Sequence, residues 1–590
     1  MSSVQDATAF GAQAPPATQV ATDRRWWLWF SAVLAATAVL FFARLGSRAL
    51  WSSEFRWAEI AREMQLTSNY FWPTLNGRVY YDKPLGTYWL VLAASHLTGG
   101  LDEAAARLPC AIAGLLGVAL LMLLARRLYD ARTALLSGFI LATSFSFVFF
   151  SRHASADVET VTGELAALLL FIRNEDRQDG WWVVALWIIM AVTSQMKGLL
   201  GFALPLLVIG TWCCLGAGWA EFGARLMYGR IGERIHWLIE RNRWLFNWKT
   251  PVAIALGFAI YYVPFAISNR VVGSSKGMEM VWRENILRFF HPFDHRGPIY
   301  LYVYVIFALM APWSMLLPAA LAQAHRRHRE GAETNRADRF SLVFFWATFA
   351  FFTLSGSRRS YYILPILPPA AILISRLLIA PGVRSKLANR LLAIGYVIVA
   401  ISAVATIGLL LPPSAILRGP LAALPAAPGQ AAIVLSWLIS VGAIIYTIRA
   451  YRLKRVALSV GIIAYCAMVY IYIVAMPAAE AYRGEKPFGI KVRSLLGGNT
   501  ADLAFYKTQG PLFYINPPAP LLEYDEREDL LSAIESHKIH WFIARRRDVP
   551  KLDVAETIEM AEASYPWESD ADVRNKVVLI RVGPASGSGP

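Results

Sequence analysis

Long apolar segments recur from residue 26 to residue 477 and are separated by short polar joints. A membrane-spanning helix needs about 20 predominantly apolar residues, with a range of about 17 to 25. The pattern therefore predicts a polytopic α-helical membrane protein. We expect about thirteen spans, at approximately residues 26–43, 105–126, 132–151, 158–173, 181–196, 198–216, 251–270, 298–320, 340–355, 361–379, 390–412, 431–449 and 456–477.

The basic residues predict the orientation of these spans. The apolar segment Leu85–Leu97 is shorter than a span, and counting it as one would invert every later loop. Without it, the basic joints fall on one face, which the positive-inside rule identifies as cytoplasmic: Arg24–Arg25, Arg126–Arg132, Arg173–Arg177, Arg225–Lys249, Arg326–Arg339, Arg384–Arg390 and Arg449–Arg455. We therefore predict a cytoplasmic N-terminus, an outer C-terminus, and Leu85–Leu97 lying at the outer surface.

Composition divides the chain into four regions. Residues 1–23 are rich in Ala, Gln, Thr and Pro and predict a disordered cytoplasmic tail, and residues 24–477 form the transmembrane domain. Residues 478–583 predict a small outer α/β domain and residues 584–590 a flexible tail. The expected strands of the α/β domain are 503–506, 512–515, 539–544 and 577–582, and its expected helix is 526–536. Within the membrane domain, Trp219–Trp248 has the basic amphipathic pattern of helices lying on the inner leaflet.

Composition also excludes several classes. Of the 590 residues 56% are apolar and 17% charged, which is unlike a soluble domain. The net charge of +16 is spread over short joints between apolar runs, so anionic lipid is the expected partner and nucleic acid is not. The four cysteines lie in or beside apolar runs without zinc-ligand spacing, which indicates packing residues.

The outward loops 44–104, 152–157 and 271–297 collect cations, carboxylates and tyrosines, as do Met196–Gly198 and Ser357–Tyr362. Such a set suits a phosphate that carries a sugar, because cations hold the phosphate while carboxylates and tyrosines address hydroxyls or an amine. A transporter more often places its polar site near the bilayer midplane on repeated broken helices, and we find no such repeat. The chemistry is therefore expected on the outer face.

The order of the motifs in these loops resembles the bacterial GT-C glycosyltransferases, in particular the lipid A aminoarabinose transferases and their protein mannosyltransferase-like relatives. The resemblance spans residues 26 to 480. It rests on WSSEFRWAEIAREM at 51–64, YDKP at 81–84, Asp157, MKG at 196–198, DHRGP at 294–298 with PW at 312–313, and SRRSYYILP at 357–365.

The resemblance implies a multi-pass enzyme of the inner membrane with a periplasmic active site. It would transfer a sugar, best taken as 4-amino-4-deoxy-L-arabinose, from undecaprenyl phosphate to a lipid A phosphate with inversion. The product would mask negative charge and confer polymyxin resistance. Two alternatives remain: a transferase with a hydroxyl acceptor on another glycan, lipid or protein, and a carrier-lipid binder or transporter without turnover.

One position departs from the family. Aspartate is usual where this chain has Ser53, beside Glu54. A serine hydroxyl cannot act as a carboxylate base. Three interpretations are open: Glu54 substitutes as the base, the ionised acceptor phosphate needs no base, or the function is altered.

By resemblance and position, we assign roles to the outward residues. The predicted catalytic carboxylates are Asp157 and Glu54. Structural alternatives also exist, since Asp157 could cap a helix and the basic and aromatic residues could contact lipid headgroups. The predicted ligands of the donor phosphate are Lys83, Arg56, Arg358, Arg359 and Lys197, and those of the sugar or acceptor are Asp82, Tyr80, Tyr81, Tyr361 and Tyr362.

The pattern requires no cofactor. A divalent metal remains open, with Asp82, His291 and His295 as candidate ligands, although no local ligand spacing supports it.

Overall fold

The computed structural model describes residues 17–51, 53–177, 180–215, 231–273, 275–292, 295–329, 335–379, 453–552, 556–565 and 568–582. The membrane part of the chain is helical. Its helices are α1 (Ala17–Phe42), α2 (Glu54–Thr67), α3 (Gly86–Thr98), α4 (Glu103–Leu128), α5 (Ala131–Ala142), α6 (Phe145–Ser151), α7 (Asp157–Asn174), α8 (Trp182–Lys197), α9 (Leu200–Leu215), α10 (Ile231–Arg241), α11 (Lys249–Val272), α12 (Lys276–Val281), α13 (Arg288–Phe290), α14 (Leu301–Leu309), α15 (Leu317–Arg329), α16 (Asn335–Leu354), α17 (Leu367–Ile379), α18 (Leu453–Tyr470) and α19 (Met476–Ala479).

Shorter elements connect these helices. A two-stranded hairpin, β1 (Thr74–Leu75) and β2 (Arg78–Val79), lies between α2 and α3. The π-helical segments are Trp282–Leu287 and Ile471–Ala475, and the 3-10 helices are Arg243–Leu245, Trp313–Leu316, Ser360–Ile366, Glu480–Tyr482 and Val549–Lys551.

Among the described residues, six helices are long and apolar enough to cross a membrane: Arg24–Phe42, Glu103–Leu128, Lys249–Val272, Arg336–Leu354, Ser360–Ile379 and Gly461–Ala479. Helices α5 and α6 form a seventh candidate span that bends by 67° at its break, while α8 and α9 are shorter apolar helices. The predicted multi-pass helical architecture is thus confirmed. The predicted spans 390–412 and 431–449 lie outside the described residues, as do residues 1–16, 219–230 and 584–590.

Two boundaries differ from the sequence prediction. The segment 298–320 was expected to be one span, but α14 ends at Leu309 and a 3-10 helix at Trp313–Leu316 precedes α15. Pro312 lies in this break, and proline supplies no amide hydrogen for a continuous helix. The other difference is at the N-terminus, where α1 begins at Ala17, so residues 17–23 are helical rather than part of a disordered tail.

Helices α7 and α8 pack closely because glycine lies at their contact. A Cβ atom built on Gly163 would lie 2.0 Å from the Thr193 Oγ1 atom and 2.8 Å from its Cβ. Thr193 has little freedom to move, since its hydroxyl donates to the Ile189 carbonyl at 2.7 Å. This close approach places the first turn of α7 beside the last turn of α8.

The C-terminal part of the chain is a small α/β domain, as predicted. Its helices are α20 (Glu485–Leu495), α21 (Leu512–Ile515), α22 (Arg527–Glu535) and α23 (Asp570–Asn575), and its strands are β3 (Leu503–Tyr506), β4 (Leu522–Tyr524), β5 (Trp541–Arg545), β6 (Glu556–Ala561) and β7 (Val577–Val582). The sheet order is β4-β3-β5-β7-β6, with β3 parallel to β4 and β5, and β7 antiparallel to β5 and β6.

The prediction of a strand at 512–515 was wrong. All four residues are buried, and a short, fully apolar run does not distinguish a strand from a buried helical turn. Pro511 precedes the turn with φ −85°, which suits the start of a helix.

Hydrogen bonds join this domain to the membrane part. Arg62 donates to the Pro517 carbonyl at 2.8 Å, and Asn76 exchanges two hydrogen bonds with the backbone of Leu521 at 3.0 and 2.8 Å. The Tyr514 hydroxyl accepts from the Leu50 amide at 2.6 Å and donates to Glu103 at 3.1 Å. The domain therefore holds α2 and the segment before it.

That segment also depends on a buried ion pair. Arg107 of α4 donates to both carboxylate oxygens of Glu54 at 2.8 and 2.7 Å. Its remaining N–H groups donate to backbone carbonyls of the 45–49 segment at 2.8 to 3.0 Å. Glu54 accepts further bonds from the amides of Trp51 and Ala154, both at 2.9 Å, and is 2% exposed. Burial opposes its ionisation, but the bonds and charge of Arg107 hold the pKa of Glu54 at about 2.

Gly163→Ala is expected to destabilise the protein, because the added methyl group would overlap Thr193. Overpacking of this kind costs about 1–3 kcal/mol, so the thermal unfolding temperature of the purified full chain should fall. Gly210→Ala is the matched control, since its Cβ would meet nothing within 4 Å. Adding Thr193→Ala should recover part of the stability, because it removes the 2.0 Å contact with Oγ1 but keeps the 2.8 Å contact with the Cβ atom. Equal unfolding temperatures for the two glycine variants would contradict the packing.

Glu54→Gln is expected to change the pH dependence of stability. The folded-state pKa lies below the ordinary value of 4.5, so this contribution to the unfolding free energy, on the order of 3 kcal/mol, is present above about pH 4.5 and lost as pH falls towards 2. The gap in unfolding temperature between wild type and Glu54→Gln should therefore shrink below pH 4.5. The exposed Glu528→Gln variant should follow wild type at every pH. A difference in unfolding temperature between wild type and Glu54→Gln that stays constant from pH 7 to pH 3 would contradict this explanation.

Candidate active site

A cavity of about 570 Å³ opens among the segments that the sequence analysis placed on the outer face. It lies between the start of α2, the turn before α3, the start of α7, the end of α8 and the π-helical segment after α12. The polar and aromatic residues that line it include Ser53, Arg56, Tyr80, Asp82, Lys83, Tyr88, Ser155, Asp157, Lys197, Arg283, Glu284, Asn285, Arg288, His295, Ser355, Ser357, Arg359, Tyr361 and Tyr362.

The cavity carries an excess of positive charge. Three carboxylates line it, namely Asp82, Asp157 and Glu284, against six cationic side chains, namely Arg56, Lys83, Lys197, Arg283, Arg288 and Arg359. Each carboxylate forms an ion pair with at least one of these cations: Asp82 with Lys83, Asp157 with Lys197, and Glu284 with both Arg288 and Arg283. The arrangement favours an anionic ligand such as a phosphate.

Asp157 is the first residue of α7, and its carboxylate accepts a hydrogen bond from Lys197 at the end of α8. It does not cap α7, since Ala156 occupies the cap position. The Lys197 ammonium also lies 5.1 Å from the ring centre of Tyr362. Gly198 ends α8 with φ +81°, and a Cβ there would lie 2.4 Å from Asn285, so only glycine lets the chain turn here.

Asp82 and Lys83 form a second charged pair. The Lys83 ammonium donates to the Asp82 carbonyl at 2.9 Å and to its carboxylate at 3.1 Å. Burial alone would raise the pKa of Asp82, but the charges of Lys83 and Arg56 lower it. Arg56 also donates to the Tyr80 hydroxyl. Two cations and an ionised acid therefore share this wall.

Arg359 also lines the cavity. Its guanidinium donates to the Tyr361 hydroxyl at 2.8 Å and contacts the His295 ring. The neighbouring Arg358 points elsewhere and donates to the carbonyls of Gly297 at 2.8 Å and Thr353 at 2.9 Å. Arg358 thus holds the 295–297 loop against the 353–358 loop, which explains why only one of the two arginines lines the cavity.

Glu284 and Arg288 were not selected from the sequence. They lie one π-helical turn apart and form an ion pair. Burial raises the pKa of Glu284, and the positive charges of Arg288 and Lys83 offset only part of this rise. The sequence shows the polar run Arg283–Asn285 in an outward loop. It does not show which side of the helix each of these residues occupies, and that decides which side chains reach the cavity.

Four predicted site residues do not line the cavity. Glu54 is enclosed by Arg107, which removes it from the catalytic candidates. Arg358 is used by backbone carbonyls. The Tyr81 hydroxyl bonds to Ser268 and to the Phe71 carbonyl at 3.2 Å. His291, the fourth of these residues, also lies outside the cavity lining.

The candidate metal ligands do not come together. Asp82 is paired with Lys83, His295 contacts Arg359, and His291 lies outside the lining. Within the described ranges, no group of three or more His, Cys, Asp or Glu side chains is arranged to hold a metal ion.

Comparison with known proteins identifies relatives. Residues 82–224 match the family described as dolichyl-phosphate-mannose-protein mannosyltransferase. The chain is 29% identical over 384 residues to undecaprenyl phosphate-alpha-4-amino-4-deoxy-L-arabinose arabinosyl transferase 1 of Pseudomonas fluorescens, covering 64% of this chain and 63% of that protein. It is 27% identical over 388 residues to the corresponding transferase of Pseudomonas aeruginosa, covering 64% and 65%. The chain thus matches slightly less than two thirds of the length of these relatives.

The fold has a solved counterpart. The crystal structure of ArnT from Cupriavidus metallidurans bound to undecaprenyl phosphate superposes with a TM-score of 0.66 at 20% identity, covering 95% of this chain and 99% of that one. Its apo state gives 0.65, covering 95% and 100%. These relatives and the long apolar helices indicate a multi-pass protein of the inner membrane. The chain therefore shares the fold of ArnT from Cupriavidus metallidurans, and over part of its length it is similar in sequence to aminoarabinose transferases and to the mannosyltransferase family model.

Proposed function

We propose that this protein transfers 4-amino-4-deoxy-L-arabinose from undecaprenyl phosphate to a phosphate of lipid A. The observation that carries the proposal is the cavity, in which six cations surround three carboxylates that already have partners. A phosphate-linked donor and a phosphate acceptor both suit this charge. The names of the similar transferases support the choice of sugar and carrier.

The donor phosphate binds at the wall formed by Lys83 and Arg56, together with Arg359. When the bond between the anomeric carbon and the phosphate oxygen breaks, negative charge grows on the phosphate. Arginine meets this charge with two parallel N–H groups, while lysine acts as a compact point charge. The three cations therefore stabilise the leaving group more strongly in the transition state than in the bound donor.

The sugar lies among the remaining polar and aromatic groups. The carboxylates of Asp82 and Glu284 face the sugar amine, and Tyr80, Tyr361 and Tyr362 pack against the ring and bind its hydroxyls. Asp157 stabilises the positive charge that develops on the ring as the bond breaks. Lys197 is a positioning residue in this step, because it fixes the Asp157 carboxylate and provides a further cation for phosphate.

The acceptor needs no base. An oxygen of the ionised lipid A phosphate attacks the anomeric carbon from the side opposite the carrier phosphate, so the new bond forms with inversion and no proton has to leave the nucleophile. This accounts for Ser53, which lines the cavity where the family usually has aspartate. Glu54 cannot take over as base because Arg107 and two backbone amides occupy its oxygens.

A hydroxyl acceptor is the less favoured alternative. It would need a carboxylate free to take a proton, and each of the three carboxylates lining the cavity has a cationic partner. A carrier-lipid binder without turnover is the second alternative, and the assay below distinguishes it.

We also propose that the cavity and the α/β domain face the periplasm and that the N-terminus is cytoplasmic. The support is the charge pattern of the sequence: with the predicted spans, the positive-inside rule assigns the basic joints to the cytoplasmic face and the loops whose residues line the cavity to the other face.

The full chain in lipid nanodiscs, incubated with lipid A and a panel of undecaprenyl-phosphate sugars, is expected to add aminoarabinose to lipid A, as read by mass spectrometry. Asp157→Asn should lower kcat by about 100-fold or more, as expected for a lost electrostatic contact in the transition state. Lys83→Gln should raise the KM for the donor by roughly tenfold and also lower kcat. The matched control is Lys491→Gln, an exposed residue of the α/β domain that should leave both constants unchanged.

Other outcomes would redirect the proposal. Transfer to a hydroxyl-bearing glycan, lipid or protein, but not to lipid A, would establish the first alternative. Binding of undecaprenyl phosphate without turnover of any sugar would establish the second.

Ser53→Asp separates the two acceptor chemistries. If the acceptor phosphate is already ionised, an added carboxylate has no proton to take and introduces repulsion, so turnover on lipid A should stay the same or fall. Ser53→Asn, similar in size and uncharged, controls for the change in shape. A rise in kcat of tenfold or more for Ser53→Asp alone would show that the reaction needs a base that the wild-type protein does not have, and would contradict the ionised-acceptor mechanism.

A further inference from the structure

A second group of cations lies near the end of α1, outside the cavity described above. Arg44, Arg48 and Arg152, which we call the arginine cluster, line a small crevice together with Trp51, Tyr472 and the buried pair of Glu54 and Arg107. Arg44 follows the end of α1 with φ +53°, a left-handed conformation that few side chains other than glycine and asparagine adopt. The three side chains come from two separate segments and meet at the ends of membrane helices.

None of the three arginines has a carboxylate within ion-pair distance among the described residues. Arg44 donates to the Ile473 carbonyl at 3.2 Å. Arg48 donates to the Met476 sulfur at 3.2 Å, and a thioether is a weak acceptor. Arg152 donates to three carbonyls at the end of α1 at 2.6 to 3.0 Å and lies 4.9 Å over the Tyr472 ring.

The surroundings do not neutralise this charge. Burial lowers the pKa of Arg48, and repulsion from Arg107 and Arg483 lowers it further. The charges of Glu54 and Glu480 oppose this shift, but Glu54 is already bound to Arg107 and Glu480 lies 3.9 Å from Arg483. The long segment 380–452, which the structure does not describe, contains no Asp or Glu and cannot supply a counter-charge. Half-buried cations without a partner acid are costly, so an anion from outside the chain is expected here.

The arginine cluster and the cavity share a wall. Ser53 lines the cavity while the next residue, Glu54, lines the crevice. The segment Arg152–Asp157 likewise begins in the crevice and ends in the cavity. Five residue steps span at most about 17 Å of fully extended chain. One amphiphilic molecule with two separated phosphate groups could therefore reach both places.

We propose that the arginine cluster binds a second phosphate group of the acceptor lipid, the one that does not receive the sugar. The inference rests on the proposed function and adds how the acceptor is selected. Bidentate guanidinium groups at the membrane boundary suit a phosphomonoester whose acyl chains remain in the bilayer. Transfer would then favour acceptors that carry two phosphates.

The test compares lipid A bearing two phosphates with its monophosphoryl form, using the full chain in nanodiscs of zwitterionic lipid. Arg48→Ala should raise the KM for the diphosphorylated acceptor about tenfold, leave kcat and the donor KM unchanged, and leave the KM for the monophosphoryl acceptor unchanged. Arg48→Lys should recover part of the affinity, since it restores charge without the fork. Arg78→Ala is the control, an exposed arginine whose partners are Glu523 and Asp525.

A KM that is unchanged in Arg48→Ala, or raised equally for both acceptors, would overturn the proposal. So would loss of co-purified phosphatidylglycerol in Arg48→Ala with an unchanged acceptor KM, because the cluster would then bind a bilayer lipid. Native mass spectrometry of lipid A bound to Asp157→Asn, with and without Arg48→Ala, separates this inference from catalysis. Loss of the diphosphorylated lipid alone would support the cluster even if no transfer were detected.

Discussion

The buried pair of Arg107 and Glu54 determines where the chemistry can take place. Removing two charges from water is costly, and the cost is offset here because every N–H of Arg107 has an acceptor and both oxygens of Glu54 have several donors. Through these bonds one guanidinium fixes the 45–49 segment, the start of α2 and the loop before α7. Both residues of the pair line the crevice of the arginine cluster, and Ser53, the neighbour of Glu54, lines the cavity.

The cavity contains two kinds of cation: those paired with its acids and those in excess of the acids. Each acid has a cation within ion-pair distance, so the carboxylates are held in place before any ligand arrives. The additional cations then define a net positive space that a phosphate can enter. Binding therefore need not rearrange the acids, which is the condition for stabilising charge as it develops rather than after it has formed.

Much of the fold could be predicted from the sequence, because apolar length and the side of the basic joints are one-dimensional signals. The break in 298–320 and the helical turn at 512–515 depend on local backbone geometry and on burial from all sides, which periodicity does not record. The site was only partly predictable for the same reason. The motifs brought Asp157, Lys83 and Arg359 to attention, but the partnership of Asp157 with Lys197 joins residues 40 positions apart. Ser53 lines the cavity and Glu54 does not, because adjacent residues of a helix point in directions about 100° apart.

The different directions of Ser53 and Glu54 have a consequence for how such a protein can change over evolutionary time. A substitution at position 54 would disturb the pair with Arg107 and therefore the scaffold, whereas a substitution at position 53 alters only the lining. A lineage could thus move between acceptors of different acidity by a single codon change, with the architecture left intact. Two adjacent positions are therefore under different constraints: position 54 is constrained by folding, and position 53 by the molecule that is modified.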